Sequence, residues 1–115
     1  MKIPANGKLL RVFLGESDKW HGRPLYEEIV LLARKEGMAG ATAVKGFMGF
    51  GRNSHMHTAK ILRLSEDLPI IIEIVDSAEK INGFITHLDV MVQDGLITLE
   101  DAEVIVYRSN AEKLQ

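Results

Sequence analysis

At 115 residues, with a formal net charge of -2 at pH 7, the chain sets 14 Lys and Arg against 16 Asp and Glu and contains no cysteine. A chain of this length buries roughly two thirds of its unfolded surface, so one domain spanning residues 1–115 is expected to fold without disulfide or metal-thiolate staples. The basic residues are too few and too dispersed for a nucleic-acid surface, no stretch has the length of a membrane-spanning helix, and the start lacks the apolar run of a secretion signal, so a soluble, cytoplasmic protein is expected.

In chain order, residues 1–7 read as a loose tail, and Leu9-Leu-Arg-Val-Phe-Leu14 is a short apolar run whose β-branched and aromatic content suits a strand. Pro24 presets φ for a first helical turn, and Leu25, Ile29, Leu32 and Ala33 recur at helical spacing. Glu27 and Glu28 sit at the positive end of that helix and Arg34 and Lys35 at its negative end, while Gly37 supplies a left-handed stop. A second strand over about 41–47 runs into the glycine-rich segment, whose return limb from Thr58 to Leu64 can pair as a ribbon. Leu68 to Val75 forms the third strand; Asp76 and Ser77 cap a second helix with Ile81, Phe84, Ile85, Leu88 and Met91 along one stripe; Asp94-Gly95 turns the chain. Leu96–Leu99 and Val104–Tyr107 are predicted to close the sheet, and residues 109–115 to trail as a tail. The order β-α-β-β-α-β is the split unit of a ferredoxin-like α+β sandwich, an antiparallel sheet with two helices on one face.

Two helices cover only one side of such a sheet, yet both sides of the strands are apolar. Ile70, Ile72 and Ile74 point one way and Ile71 and Val75, flanking Glu73, the other; Leu10, Val12 and Leu14 oppose Leu9 and Phe13. The uncovered face predicts self-association, with threefold packing as the simplest cover. Charge asymmetry agrees, since residues 1–67 carry 11 basic and 7 acidic side chains and residues 68–115 carry 3 and 9.

The segment from Gly37 to Ser65 contains no Asp or Glu but holds Lys45, Arg52, Lys60, Arg63, His55, His57 and the run Gly46-Phe-Met-Gly-Phe-Gly-Arg-Asn53. Glycines let main-chain N–H groups converge on an anion without Cβ obstruction, and the unbalanced positive charge adds attraction. Glycines near strand ends also serve simply to relieve a bend, which is the competing explanation. His55 and His57 project from one side of an extended segment, but no third ligand is evident, and no metal site is assigned. Ser54 beside a histidine lacks an orienting acid, so no catalytic residue is assigned either. Glu73 needs a cation or N–H partners and reads first as a structural anchor; Arg108 is either a phosphate contact or a surface residue.

The string Thr42-Ala-Val-Lys-Gly-Phe-Met-Gly-Phe-Gly-Arg52, the loop after it and Leu68-Pro-Ile-Ile-Ile-Glu-Ile-Val75 resemble the PII nitrogen-regulatory signalling proteins. His21-Gly-Arg-Pro-Leu-Tyr26, Gly40-Ala-Thr42, Leu64-Ser-Glu-Asp-Leu-Pro69 and Gly95-Leu-Ile-Thr-Leu-Glu100 resemble, more closely and over nearly the whole chain, an uncharacterised PII-like family. The resemblance implies a non-enzymatic homotrimeric sensor that binds an adenine nucleotide in intersubunit clefts. It further implies a loop, here about 49–64, that is read by a protein partner such as a membrane transporter or channel. The nucleotide-binding set it implies is Thr42, Lys45, Gly49, Phe50, Gly51, Arg52, Glu73, Val75, Gly95 and Arg108. Two departures matter. Val106 stands where a second phosphate-binding arginine is expected, and Val92-Gln-Asp-Gly-Leu96 lacks the lysine of the usual phosphate loop, so ADP or AMP is favoured over ATP. No Tyr falls between Tyr26 and Tyr107, which excludes tyrosine modification in the loop. The alternatives are an acylphosphatase-like hydrolase using Arg52 and Asn53, and a trimeric divalent-metal-binding protein using His55 and His57.

Overall fold

The structure is a computed structural model and describes residues 5–51, 57–58 and 67–110. The elements run Asn6–Gly15 (β1), Lys19–Trp20 (β2), Arg23–Pro24 (β3), Leu25–Lys35 (α1), Thr42–Lys45 (β4), Met48–Gly49 (β5), His57–Thr58 (β6), Pro69–Asp76 (β7), Ala78–Met91 (α2) and Leu96–Glu103 (β8). The main sheet is ordered β4-β7-β1-β8 and each neighbouring pair is antiparallel, the ferredoxin-like arrangement. β2 with β3 and β5 with β6 form two short hairpin ribbons. The second ribbon pairs Met48 with Thr58, at the start of the expected return limb, whose remainder lies outside the described residues.

Local chemistry explains the helices. α1 begins directly after Pro24 with no side-chain cap, and it ends at Glu36 because Gly37 takes φ 73°. α2 has a side-chain cap: Ser77 Oγ accepts from Lys80 N. Asp76, expected to share that capping, instead ends β7 as a buried carboxylate, taking one bond from Ser77 N and a second from Ala39 N far along the chain.

The core lies between the helices and one sheet face. Leu10, Val12 and Ile72 from the sheet meet Ile29 from α1 and Ile81 and Leu88 from α2, all fully buried. Each such side chain contributes about 1.5–3 kcal/mol relative to an exposed one. β7 alternates strictly between half-buried and buried positions, so Ile70, Ile72 and Ile74 face the helices while Ile71, Glu73 and Val75 face away. Register places Leu9 opposite Val75, Arg11 opposite Glu73 and Phe13 opposite Ile71, and Val44 beside Ile71 on the edge strand. The second face is therefore apolar at both ends with an ionic pair in its middle.

The predicted last strand is corrected. Val104–Tyr107 is not a strand; β8 instead runs unbroken from Leu96 to Glu103. Glu100 and Asp101 look like a polar break, but each has a cation across the sheet: Arg11 Nη1 donates to Glu100 Oε1 at 2.6 Å, and Lys8 pairs with Asp101. β8 ends where its partner ends, since Asn6 opposes Glu103 and Val104 N makes a last bond to Ala5 O at 2.6 Å. Strand-forming residues beyond that point have no further register partner in β1.

Near the opposite end of the sheet, Asp18 Oδ2 accepts from Gly15 N at 3.0 Å. Burial, with the charges of Asp67 and Asp94 adding to it, pushes the Asp18 carboxyl above the usual aspartate range. A raised acid binds its proton more tightly in the folded state, so this group's contribution to stability falls as pH rises through and above the ordinary aspartate pKa. Asp18→Asn keeps the acceptor and is expected to flatten the fall of the urea midpoint as pH rises above the ordinary aspartate pKa of about 4; an unchanged pH slope would count against this assignment.

Candidate functional site

β4, β7, β1 and the chain after β8 frame a cleft of about 640 Å³ on the open sheet face. Its floor is Leu9, Thr42, Glu73 and Val75; one wall is the connection Ala39–Ala41, and the other is the arm from Ala102 to Tyr107. Both walls are fastened. Asp76 holds Ala39 through its N–H at 2.9 Å, and the Tyr107 hydroxyl donates to Ala39 O at 2.9 Å, so the C-terminal arm spans the end of the sheet to reach the opposite wall. Lys80 Nζ, donating to Gly37 O at 2.5 Å, ties the same connection to α2.

The lining is mostly apolar, with Glu73, Glu103 and Thr42 as its polar side chains apart from Tyr107 and no lysine or arginine among the described residues. A mostly apolar cleft with carboxylate acceptors suits an uncharged, donor-bearing ring system better than a phosphate. Glu73 is not left unpaired: Arg11 Nε donates to its Oε2 at 2.8 Å, while the other side of the guanidinium engages Glu100. The two carboxylates raise the Arg11 pKa, the hydrogen bond to Glu73 foremost. The anchoring role expected for Glu73 thus has a partner that sequence reasoning missed. Arg11 sits at position 2 before Phe13 in a strand, with the same period as Leu9 and Phe13, and that shared face was the available signal.

The expected nucleotide-contacting residues divide into two groups within one chain. Thr42, Glu73 and Val75 line the cleft, and Arg108, exposed, follows the arm at Tyr107. Lys45, Gly49, Phe50, Gly51 and Gly95 lie toward the other end: Lys45 pairs in register with Ile70, four residues before Ile74, and Gly95 precedes Leu96, which opposes Phe13. From Glu73 to Pro69 along β7 is about 13 Å at ordinary strand rise. Arg52, Asn53, Ser54 and His55 lie outside the described residues, as does the side chain of His57.

Lys45, Gly49 and Gly95 of the second group, and Gly46 beside them, have structural duties. A Cβ on Gly46 would stand 2.8 Å from Pro69 Cγ, and one on Gly49 3.1 Å from the same atom, so the strand-end bend is pressed flat on that proline. Lys45 Nζ is 2.7 Å from Glu16 Oε2 and is not an unengaged cation. Gly95 permits β8 to start against β1, because a Cβ there would be 2.7 Å from Phe13 O. Backbone cannot yield as a flexible side chain would, so Gly95→Ala is expected to destabilise by about 1–3 kcal/mol in denaturant titration. Phe50, 71% exposed, and Phe47, 68% exposed, stand out from this end of the sheet. Among the described residues, no group of three or more His, Asp or Glu is placed to hold a metal ion, and no helix is long and apolar enough to cross a membrane.

The fold so defined is that of the PII-like proteins. The structure superposes on CPII, a nitrogen regulatory PII-like protein from Thiomonas intermedia K12 bound to ADP, AMP and bicarbonate, with TM-score 0.66, 20% identity and 90% of each chain covered. It also matches the B. subtilis GlnK-ATP complex, with TM-score 0.51, 15% identity, and 87% of this chain and 84% of that one covered. The chain belongs to the DUF190 family, described as "Uncharacterized ACR, COG1993", which matches residues 7–104. A UPF0166 protein of Aquifex aeolicus is 38% identical over 98 residues, covering 85% of this chain and 92% of the relative. A second, from Methanocaldococcus jannaschii, is 40% identical over 98 residues, covering 84% and 90%.

Proposed function

We propose that this protein is a cytoplasmic, non-enzymatic regulatory sensor of the PII-like type, a homotrimer that binds ADP or AMP in clefts between subunits. One observation carries the reading: a single chain divides the expected ligand residues between two ends of a sheet face that is apolar on either side of a central ionic group and uncovered within one chain. Packing copies face to face around an axis buries Leu9, Phe13, Ile71 and Val75 and sets the cleft end of one subunit against the glycine-rich end of its neighbour. The apolar slot takes the base and ribose, and the glycine-rich strip with Arg52 and Arg108 takes the phosphates. Val106 in place of an arginine and the absence of a lysine beside Gly95 leave fewer cations than three phosphates need. Occupancy then sets the shape of the 49–64 loop, which a protein partner reads, a membrane transporter or channel being one such partner.

The ligands of CPII, ADP and AMP, support the ligand class. Isothermal titration with ADP, AMP and ATP tests it. ADP and AMP are expected to bind about tenfold or more tightly than ATP, the value of roughly one missing charged contact. No heat with any of the three, or a clear preference for ATP, would contradict the reading.

A further inference from the structure

The ionic group at the centre of the open face has no role in covering it, since an apolar trio would do that at lower desolvation cost. Arg11 is held at two points, Nε on Glu73 Oε2 at 2.8 Å and Nη1 on Glu100 Oε1 at 2.6 Å, so its guanidinium plane is fixed between β7 and β8. Glu73 forms part of the cleft floor beside Thr42, its partner in register on β4. An ionised carboxylate offers about four lone-pair positions, and Arg11 Nε occupies one side of it. The side chain of Glu73 remains 40% exposed, leaving acceptor capacity open to the cleft. Glu103 adds a second negative charge to the same lining, and no described lysine or arginine lines it. A phosphate brought here would be repelled, whereas a neutral N–H or O–H donor would be drawn in and aligned.

We infer that Arg11 is a positioning residue that orients Glu73 to accept a hydrogen bond from the nucleoside part of the ligand, either the exocyclic amine or a ribose hydroxyl. This rests on the nucleotide reading above, which already counts Glu73 among the ligand residues, and adds to it the residue that aims that carboxylate. Glu73 makes the contact; Arg11 sets the direction of its free lone pairs, and Glu100 steadies Arg11 from the far side.

Calorimetry with ADP, 2′-deoxy-ADP and the purine riboside diphosphate that lacks the 6-amino group tests the assignment on the full chain. The wild-type protein is expected to bind one of the two analogues about tenfold more weakly than ADP, the usual scale for losing a donor to a charged acceptor. Which analogue suffers identifies the donor. Glu73→Leu and Arg11→Met are expected to compress that ratio to about twofold or less, and Arg11→Lys, which retains a cation but loses the fork, to restore part of it. Thermal melts of each variant separate loss of folding from loss of discrimination, and Arg11→Lys supplies the answer if Arg11→Met does not fold. Wild-type binding of ADP with both analogues within twofold would overturn the contact to Glu73. Full discrimination in a folded Arg11 variant would overturn the positioning role. Failure of the wild type to bind any adenine nucleotide would remove the underlying reading, and the inference with it.

Discussion

Ile72→Glu is expected to abolish folding, whereas Ile71→Glu, one residue away, is expected to leave a folded subunit that no longer assembles. The two side chains differ in the face they occupy, not in chemistry. Ile72 is fully buried between Val12, Ala43 and the helices, and a carboxylate there has no cation within the core cluster. Burying an unpaired charge costs several kcal/mol and adds to the roughly 2–5 kcal/mol lost with the aliphatic packing, which together approach the whole stability of a small domain. Ile71 lies on the open face between Phe13 and Val44, half-buried within one chain. A carboxylate there remains solvated in the free subunit and becomes costly only when another copy covers it. Far-UV circular dichroism should show native signal for the Ile71 variant and its loss for the Ile72 variant, while sedimentation should show the Ile71 variant as a single subunit. A folded Ile72→Glu protein would contradict the facing of β7 described above.

Asp76→Ala is the second large effect. The carboxylate is 2% exposed and accepts from Ser77 N at 2.7 Å and Ala39 N at 2.9 Å. Its removal leaves a cavity and two orphaned backbone donors, for an expected loss of about 3 kcal/mol or more. The consequence extends to the cleft, because Ala39 anchors the wall that Tyr107 grips from the other side. The urea midpoint should fall without a change in slope, and ADP affinity should drop beyond what the folded fraction explains. Asp76→Asn, which keeps one acceptor oxygen, should fall between wild type and Asp76→Ala. A midpoint within experimental error of wild type would show that the connection 39–41 does not depend on this carboxylate.

Much of the fold was legible because local signals agree with one another. Period-2 alternation of isoleucines identified both faces of β7, and Gly37 announced the left-handed end of α1 that the backbone adopts at φ 73°. The misreading of β8 arose because Glu100 and Asp101 look like a loop when read alone. Their partners, Arg11 and Lys8, are some ninety positions away, and only the register of an antiparallel pair brings them opposite. The same nonlocality hid Arg11 as the companion of Glu73 and Glu16 as the companion of Lys45. For the candidate site, the resemblance named Thr42, Glu73 and Val75, and these three share a cleft, while the walls were missed: the hold of Asp76 on Ala39 and the reach of Tyr107 across the sheet end have no sequence signature. Gly46 and Gly49 show the opposite lesson. Their closeness to Pro69 is a packing requirement that composition does not show, and it stands beside the anion-cradle reading as a second reason for glycine at these positions.

Native mass spectrometry of the full chain with and without ADP tests the central claim most directly. A trimer that takes up one ADP per subunit is the expected result. A protein that flies as a lone subunit at micromolar concentration and gains no mass with nucleotide would contradict it.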